Sequence, residues 1–399
     1  MTRHDLERVR LCSGSCGCTG AGASLAARAM AVNGGAKRCA YLEANRAAPQ
    51  PPVRGSARSA IGRILRCNLA RHVARVACSK RGRGRYRQAV VSWTDDVDEI
   101  LASDLAAGFA YLTPARGVVI SPMAPLGLRD RETGTVTVTT SQAMWKKLDR
   151  IRQHSGVALA YHARTHGLTD RSGFVLVQGR ASFPTAADRD WLKSITPEWE
   201  RFLGPRSTGP AGRMLEVYYW HRVPITIQVE RIVAYPDDAA TGEPHVLGTP
   251  PAPPAPPQKP PGGGTAPRID ASKVAAHALR LAHTLLGWCG SDDMPEVVPA
   301  AAVEATDSGV TLSVPAGSVP PGGRRAGLTS HYFKPRMIGQ EQRVYTGWLE
   351  SDGSDRVEYA PHTKAGYRLP TSKLAFVLAS GSIAFRMKRA REAGVAPQR

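Results

Sequence analysis

A cluster of hydroxyl and ammonium groups is the part of the sequence with the clearest chemistry. Thr139, Thr140 and Ser141 end a strand-like run, and Lys146 and Lys147 follow on a predicted basic helix over 143–153. Hydroxyls and a helix start donate hydrogen bonds to a phosphate, and lysine adds a compact positive charge. The residue types alone also fit an exposed β face followed by a solvated helix face, so both interpretations stay open at this point.

Other reactive residues form weaker patterns. His162 and His166 are four residues apart, but they follow a strand-like run and precede Gly167, so we expect no shared metal. The cysteines at positions 12, 16 and 18 lack the paired CxxC spacing of a structural zinc site. His331 and His362 are isolated potential proton donors. The sequence contains no Walker A loop, Rossmann fingerprint or Gly-x-Ser-x-Gly elbow, which leaves nucleotide hydrolysis and serine-esterase chemistry without support.

Most of the positive charge lies in the first ninety residues. The chain has 399 residues and a net charge of +20, and residues 1–90 contain 18 Lys and Arg against three acidic residues. This segment has little periodicity, so we expect a disordered basic extension; nucleic-acid binding through its Arg/Gly run is the less favoured interpretation. The composition changes abruptly at residues 90–96, and we predict that the functional protein begins near Val90 or Val91.

A proline-rich segment divides the remaining chain. Residues 250–267 contain nine prolines in 18 positions, which is typical of a polyproline spacer. We therefore predict one domain over 91–236, a linker over 237–267 and a second domain over 268–395. No apolar run approaches the roughly 18 residues of a membrane-spanning helix, and the start lacks a secretory pattern, so we expect a cytoplasmic protein that does not bind membranes.

The first domain reads as a mainly antiparallel barrel with flanking helices. A helix begins at the predicted N-cap Thr94, and strand-like runs follow over 108–112, 117–121 and 135–140. After the basic helix come further strand-like runs and a helical region with two tryptophans. The second domain repeats this order weakly: a helix over 272–286, strands near 296–299 and 309–314, then a Gly/Arg turn that starts a short helix. The fold class is thus mainly β with flanking helices (α+β).

The order of five motifs resembles the pyridoxamine 5′-phosphate oxidase-like superfamily of FMN-binding split β-barrels. The motifs are Gly117–Ala124, Thr135–Ser141, Lys147, Gly156–Ala160 and Val175–Ala181. The resemblance is best over 95–236 and weaker over 280–350, where it implies a second, tandem split barrel. Proteins of this superfamily bind flavin mononucleotide (FMN) or a deazaflavin coenzyme in a dimer cleft, which implies a monomeric pseudo-dimer or a homodimer here.

The resemblance also implies which residues hold the cofactor. Ser121, Pro122 and Met123 would lie beside the isoalloxazine ring. The family positions that hold the cofactor phosphate match Thr139, Thr140, Ser141 and Lys147. Lys146, beside Lys147, would help to hold the phosphate. The basic strand signature and the C-terminal substrate residues of pyridoxamine phosphate oxidase itself are absent, so vitamin B6 oxidation is not expected. In the second domain, Gly322–Arg325 fits either an anion site or an Arg-rich turn that caps a helix.

From these features we expect a flavin- or deazaflavin-dependent oxidoreductase that transfers hydride to or from a small molecule. The cofactor supplies the hydride chemistry, and the protein fixes its phosphate and orients its ring. No catalytic residue is assigned. The alternative is a non-catalytic module that binds a flavin, a deazaflavin or haem.

Overall fold

The computed structural model describes residues 90–205, 219–368 and 383–397. All of them belong to one compact unit that spans residues 85–399. The expectations for the basic extension and for the start of the functional protein concern residues 1–89, which lie outside the described residues. Within the described part, no helix has both the length and the apolarity needed to cross a membrane.

The first antiparallel sheet is built from the chain before the proline-rich segment. Its spatial order is β2-β1-β5-β6-β7-β4-β3, and β8 pairs with β7. The strands are β1 Ala106–Leu112, β2 Val118–Met123, β3 Arg129–Asp130, β4 Thr135–Ser141, β5 Gly156–Ala163, β6 Val175–Ser182, β7 Arg222–Ala234 and β8 His245–Gly248. Strands β1 and β5 are buried along their whole length, because one face packs on the barrel core and the other on the second sheet.

The second antiparallel sheet repeats the same plan. Its order, β10-β9-β13-β14-β15-β12-β11, is the order of the first sheet with each strand number raised by eight. The strands are β9 His283–Cys289, β10 Pro295–Pro299, β11 Ala301–Thr306, β12 Gly309–Ser313, β13 Arg324–Tyr332, β14 Glu341–Ser351 and β15 Arg356–Arg368. The predicted fold class, mainly β with two tandem split-barrel units and flanking helices, is confirmed.

Helices cover the open sides of the sheets. They are α1 Asp95–Ser103, α2 Trp145–Gln153, α3 Arg189–Ser194, α4 Thr196–Leu203, α5 Ala271–Arg280 and α6 Ile383–Glu392, with 3₁₀ turns at Gln142–Met144 and Pro335–Met337. Thr94 is the N-cap of α1, as the sequence predicts, and its hydroxyl accepts a hydrogen bond from the Val97 amide at 3.4 Å. The basic helix predicted over 143–153 is present as the 3₁₀ turn Gln142–Met144 followed by α2.

Two predictions of helix in the second half are wrong. The helix expected over 272–286 ends at Arg280, and His283–Cys289 is strand β9 because it pairs with both β10 and β13. The turn at Gly322 leads into strand β13 instead of a short helix. In the first segment the spacing of the leucines fits a helix locally, and in the second a basic turn does. In both, pairing with neighbouring strands overrides the local preference.

The proline-rich segment lies against the sheets with a three-residue period. Ala252, Ala255, Gln258 and Pro261 are partly buried, whereas the residues between them are exposed. This is the period of a polyproline helix with one face packed on the protein. Gln258 joins both halves: its amide donates to the Gly323 carbonyl at 2.8 Å, and its side chain donates to the Arg116 carbonyl at 3.2 Å.

The two sheets contact each other directly through β2 and β13. The Thr329 hydroxyl donates to the Ile120 carbonyl at 2.7 Å, and a Cβ added at Gly327 would collide with the Val118 carbonyl oxygen. Val344 of β14 packs in the same hydrophobic cluster as Val119 and Met123 of β2. Helix α6 also packs on this cluster, through Met387 and Ala390. The second sheet and the C-terminal helix therefore complete the core of the first unit.

Candidate functional site

Lys147 and Ser121 meet at the edge of the first sheet. Lys147 lies in the first turn of α2, and its side chain is 8% exposed because the helix presses that face against the sheet. Its Nζ atom donates a hydrogen bond to the Ser121 Oγ atom of β2 at 3.3 Å and lies 5.5 Å from the centre of the Phe109 ring. The sequence-predicted lysine and the sequence-predicted serine are thus in contact, 26 residues apart in the chain.

Arg222 brings a second cation to the same place. It is the first residue of β7, paired with Ser141 at the end of β4. Its guanidinium donates to the Thr139 hydroxyl at 2.9 Å and to the Thr139 carbonyl at 2.8 Å. The guanidinium also lies over the Trp199 ring at 5.0 Å. Two cations from different elements therefore flank the hydroxyl cluster.

The electrostatics of these cations are unfavourable without a further charge. Burial, together with the positive charge of Arg222, lowers the pKa of Lys147 to about 8. Burial also lowers the pKa of Arg222 to about 10. In the described part of the chain, no carboxylate forms an ion pair with either group or acts on its pKa. A buried cation and a partly buried one without a counter-charge make a site that favours a bound anion.

The remaining predicted residues divide into those that share the site and one that does not. Thr139, Thr140 and Ser141 are buried at the end of β4. The Ser141 Oγ atom accepts a hydrogen bond from the Ala143 amide at 3.2 Å, which leaves its proton free to be donated elsewhere. Lys146 is exposed and lies over the Trp145 ring at 5.6 Å, so the structure does not bring it to the other groups.

Pro122 and Met123 continue β2 beyond Ser121. Both are buried, and Met123 packs in the cluster that contains Val119 and Val344. Since successive side chains of a strand point to opposite faces, residues 119, 121 and 123 share one face. That face looks toward β14 of the second sheet, because Val119 and Met123 pack in one cluster with Val344. We call the region between the cations, this face of β2 and β14 the groove.

Polar groups of the second sheet line the far side of this groove. Tyr367, near the end of β15, acts electrostatically on Arg222, and its hydroxyl donates to the Gln340 Oε1 atom at 2.8 Å. Gln342 is two residues before Val344 on β14 and therefore shares its face. Among the described residues, the Gln340 Nε2 and Gln342 Oε1 atoms are buried without hydrogen-bond partners. Unpaired buried polar atoms are costly, and these two are suited to a polar ligand.

Sequence reasoning missed Arg222, Gln342 and Tyr367. Arg222 is 75 residues after Lys147 and follows three aromatic residues and a histidine, without any local pattern that indicates a binding role. The other two belong to the second repeat. Only the strand pairing of β4 with β7, and of β14 with β15, brings these side chains to the predicted site.

The Gly322–Arg325 segment has a structural use. Arg324 is 1% exposed, and its guanidinium donates to the carbonyls of Ala255, Pro320 and Pro321. Arg325 lies over the Trp348 ring at 6.0 Å. Of the two interpretations of this segment, the structure shows the Arg-rich turn, which precedes a strand and holds the proline-rich segment in place.

Three histidines meet at the contact between the sheets, away from the cations. The Nε2 atoms of His162 and His331 are 2.7 Å apart, and His283 packs edge-on against His162. The His162 Nδ1 atom faces the Ala160 carbonyl at 2.9 Å and so must carry the proton, which makes the His331 Nε2 atom the donor of the pair. Within the described ranges, no group of three His, Cys, Asp or Glu side chains has metal-binding geometry.

Comparisons with known proteins bear on the fold. No protein-family model and no curated protein matches the sequence. Solved structures do match. A conserved hypothetical protein from Mycobacterium tuberculosis is 21% identical, with 39% of this chain and 92% of that chain covered and a TM-score of 0.29. A protein of the pyridoxinephosphate oxidase family from Clostridium acetobutylicum is 12% identical, with 38% and 90% covered and a TM-score of 0.28.

A third match is longer. A pyridoxamine 5′-phosphate oxidase-related, FMN-binding protein from Nostoc punctiforme is 9% identical, with 53% of this chain and 98% of that chain covered and a TM-score of 0.27. Two of these three proteins, those from Clostridium acetobutylicum and Nostoc punctiforme, are named after the pyridoxine- or pyridoxamine-phosphate oxidase family. In fold, this chain is similar to the pyridoxamine 5′-phosphate oxidase-like split-barrel proteins.

Proposed function

We propose that this protein binds the phosphate-bearing tail of FMN or of a deazaflavin coenzyme and acts as an oxidoreductase on a small molecule. The observation that carries the proposal is a pair of cations, the buried Lys147 and the partly buried Arg222. They face a cluster of hydroxyl groups without a carboxylate partner among the described residues. A phosphate would supply the missing negative charge and the missing acceptors.

The chemistry of the donors fits such a group. Lys147 contributes an ammonium group, Arg222 a planar guanidinium, and Ser121, Thr140 and Ser141 contribute hydroxyls at adjoining strand ends. Arg222 holds the end of β4 in position through both the hydroxyl and the carbonyl of Thr139. The donors are therefore fixed by packing before an anion arrives, which lowers the entropic cost of binding.

The groove along β2 extends this site toward the second sheet. Val119 and Met123 offer an apolar surface, and Gln342 faces them from β14 with an unpaired amide oxygen. An aromatic ring system with polar edges would bury its faces against the apolar side chains and satisfy the amide. A bound flavin or deazaflavin supplies hydride transfer, while the chain's own residues bind its phosphate, orient the ring and exclude water.

The two cofactor classes are both represented among the structural matches. The Nostoc protein is described as FMN-binding, and an F420 reductase matches at 14% identity over 34% of this chain with a TM-score of 0.25. Since both cofactors bear a phosphate on the ribityl chain of a tricyclic ring, the site described here does not distinguish them, and both belong in the test. The protein is a pseudo-dimer within one chain, because its second sheet takes the place of a partner subunit.

The test compares two neighbouring lysines. Affinities of full-length wild type, Lys147→Ala and Lys146→Ala for FMN and for coenzyme F420 are measured by fluorescence titration. We expect Lys147→Ala to weaken binding about tenfold to a hundredfold, the usual effect of losing a charge-assisted hydrogen bond. Lys146→Ala should bind as wild type does, because Lys146 is exposed on the same helix. Equal affinities of wild type and Lys147→Ala would refute the site, and binding without turnover with nicotinamide donors would refute the enzymatic role.

A further inference from the structure

The two sheets can be matched residue by residue, which allows a comparison of the site with its counterpart on the second sheet. Both β6 and β14 contain a bulge, after Gln178 and after Thr346. The next residues, Gly179 and Gly347, have no room for a Cβ because each is pressed against a carbonyl of the neighbouring strand. The bulges thus fix the register of the two repeats, and the strand pairings extend the match to all other strands.

We propose that this chain holds one cofactor, on the first sheet, and that the counterpart groove on the second sheet is filled by an ion-pair cluster that joins the two halves. The inference rests on the proposed function and adds the stoichiometry to it. It also gives the two repeats different tasks: the first sheet binds the cofactor, and the second sheet forms the opposite side of the binding region.

Of the predicted phosphate-binding groups on the strands, Thr139 has a counterpart of the same chemistry in the second repeat, Ser313, and the others do not. Across the paired strands β2, β1, β5 and β6, Ile120 lies in line with Gln178. Across β10, β9, β13 and β14, Val297 lies in line with Thr346. Because Gln178 and Thr346 both precede the bulge, Ile120 corresponds to Val297. Ser121 therefore corresponds to Val298. By the same procedure across β12 and β15, Thr140 corresponds to Val314, Ser141 to Pro315 and Arg222 to Ser354. Hydroxyls and a cation are replaced by two valines, a proline and a serine.

The lysine is missing as well. On the first sheet, α2 connects β4 to β5 and supplies Lys147. On the second sheet, residues 314–323 connect β12 to β13 without any helix. The guanidinium of Arg324, at the end of this connection, is already used by the carbonyls of Ala255, Pro320 and Pro321. The connection itself contains no lysine or arginine, and the Ser318 Oγ and Arg324 Nε atoms stay buried without hydrogen-bond partners.

The ring end of the counterpart groove is occupied. Arg231 of β7 is 3% exposed and donates to Gln178 Oε1 at 2.6 Å, Asp292 Oδ2 at 3.1 Å, Glu296 Oε1 at 3.2 Å and the Pro250 carbonyl at 3.1 Å. Gln178 in turn donates to the Pro295 carbonyl at 2.8 Å. We call these side chains the Arg231 cluster. It fills the space between β6 and β7 of the first sheet and β10 of the second.

The same positions on the binding side carry much smaller groups. Arg231 corresponds to Thr363, Gln178 to Thr346 and Glu296 to Val119. The two threonine hydroxyls hydrogen bond to each other at 2.6 Å and are more exposed than the Arg231 cluster. The binding side therefore carries only small side chains at these positions, whereas on the second sheet the space over Glu296 contains a guanidinium with its partners. Both ends of the counterpart groove are thus unsuited to a phosphorylated ring.

Binding stoichiometry tests the inference. Full-length protein is dialysed to equilibrium against saturating FMN and, separately, coenzyme F420, and the bound cofactor is counted per chain. We expect one equivalent in wild type. Lys147→Ala and Lys147→Met, checked for folding by circular dichroism, should bind at most about half an equivalent at concentrations about tenfold above the wild-type Kd, as a tenfold to hundredfold loss of affinity requires.

The outcomes separate the two proposals. Two equivalents in wild type, or one equivalent that survives both Lys147 substitutions, would overturn the single-site inference and leave cofactor binding intact. Failure of wild type to bind either cofactor would overturn the proposed function, and the inference with it. Arg231→Met provides a second measurement: because Arg231 belongs only to the filled groove, we expect a lower melting temperature with one bound equivalent unchanged, and a second equivalent would contradict the proposal.

Discussion

Lys147 is a buried ammonium group whose charge depends on pH within an accessible range. Because burial and the Arg222 charge lower its pKa to about 8, it is charged at pH 7 and mostly neutral at pH 9. Arg222 keeps its charge over this range, since its pKa is about 10. We therefore expect the affinity for FMN to fall about tenfold between pH 7 and pH 9 as one of two cations is lost. Fluorescence titration at several pH values measures this change.

Lys147→Arg is the control for this pH dependence. An arginine stays charged throughout the range, so its FMN affinity should vary by less than about threefold between pH 7 and pH 9. A wild-type affinity that does not change with pH, or an equal loss in Lys147→Arg, would exclude Lys147 as the titrating group.

At the scale of residues, residue types and spacing singled out Lys147 but not Arg222, the second cation of the site. Hydroxyls that end one strand, with a lysine on the next helix, are local in sequence, and the family resemblance selected them over an exposed surface. Arg222 carries no such signal, because its role arises from the pairing of β4 with β7. Lys146 shows the limit of spacing: it is exposed while its neighbour Lys147 points inward, because successive helical residues face different directions.

At the scale of elements, the groove depends on how closely β13 approaches β2. Gly327 faces the Val118 carbonyl oxygen with no room for a methyl group. We expect Gly327→Ala to push the strands apart, to lower the free energy of unfolding by about 1–3 kcal/mol and to weaken FMN binding. Chemical denaturation and fluorescence titration measure the two effects. Gly262→Ala is the matched control, because Gly262 has no neighbouring atoms within 4 Å of an added Cβ; a similar change in both variants would disprove the steric argument.

Element types were predictable where periodicity and caps agree, and less so in the second repeat. The first helix with its Thr94 cap and the strands at 118–123 and 135–141 occur close to their predicted places. The helix predicted over 272–286 instead continues as β9 after a short break. Leu281, Leu285 and Leu286 fit a helical face locally, but all three are buried by packing that the sequence does not display.

At the scale of the whole molecule, the two halves are held by contacts that no single repeat contains. The proline-rich segment lies against both of them, the Arg231 cluster bridges them, and Thr329 and Gly327 bring β13 onto β2. A tandem arrangement was predictable from the weak repeat and the proline-rich division. The asymmetry between the halves was not, because it follows from side chains that meet only after the sheets pack.

The buried histidines make the contact between the halves sensitive to acid. His331 is fully buried and His162 is 8% exposed. Burial lowers the pKa of His162 to about 3 and that of His331 well below its usual range, and the pKa of His283 is lowered for the same reason. The unfolded chain therefore binds more protons than the folded one below pH 6.5, so stability is complete above that pH and is lost as the pH falls.

The surrounding charged groups act on this balance in different directions. Arg164 and His166 further disfavour protonation of the cluster, whereas Asp238 favours it at His283. Asp104 opposes the trend: burial raises its pKa to about 7, so the folded state takes up a proton there and gains stability as the pH falls from 7 toward 4. The histidine contribution to stability is therefore measured as the difference between wild type and a histidine variant at each pH, because Asp104 contributes equally to the two proteins.

Substitution of the facing pair measures their contribution. Between pH 6.5 and 5.5, wild type should lose about 2 kcal/mol of unfolding free energy more than the double variant His162→Gln/His331→Gln, from two imidazoles that stay neutral when folded. Chemical denaturation at several pH values gives both curves, and His245→Gln, at an exposed position, should follow wild type. Parallel curves for wild type and the double variant would mean that protonation of this pair does not lower the free energy of unfolding. Any acid sensitivity would then come from other groups.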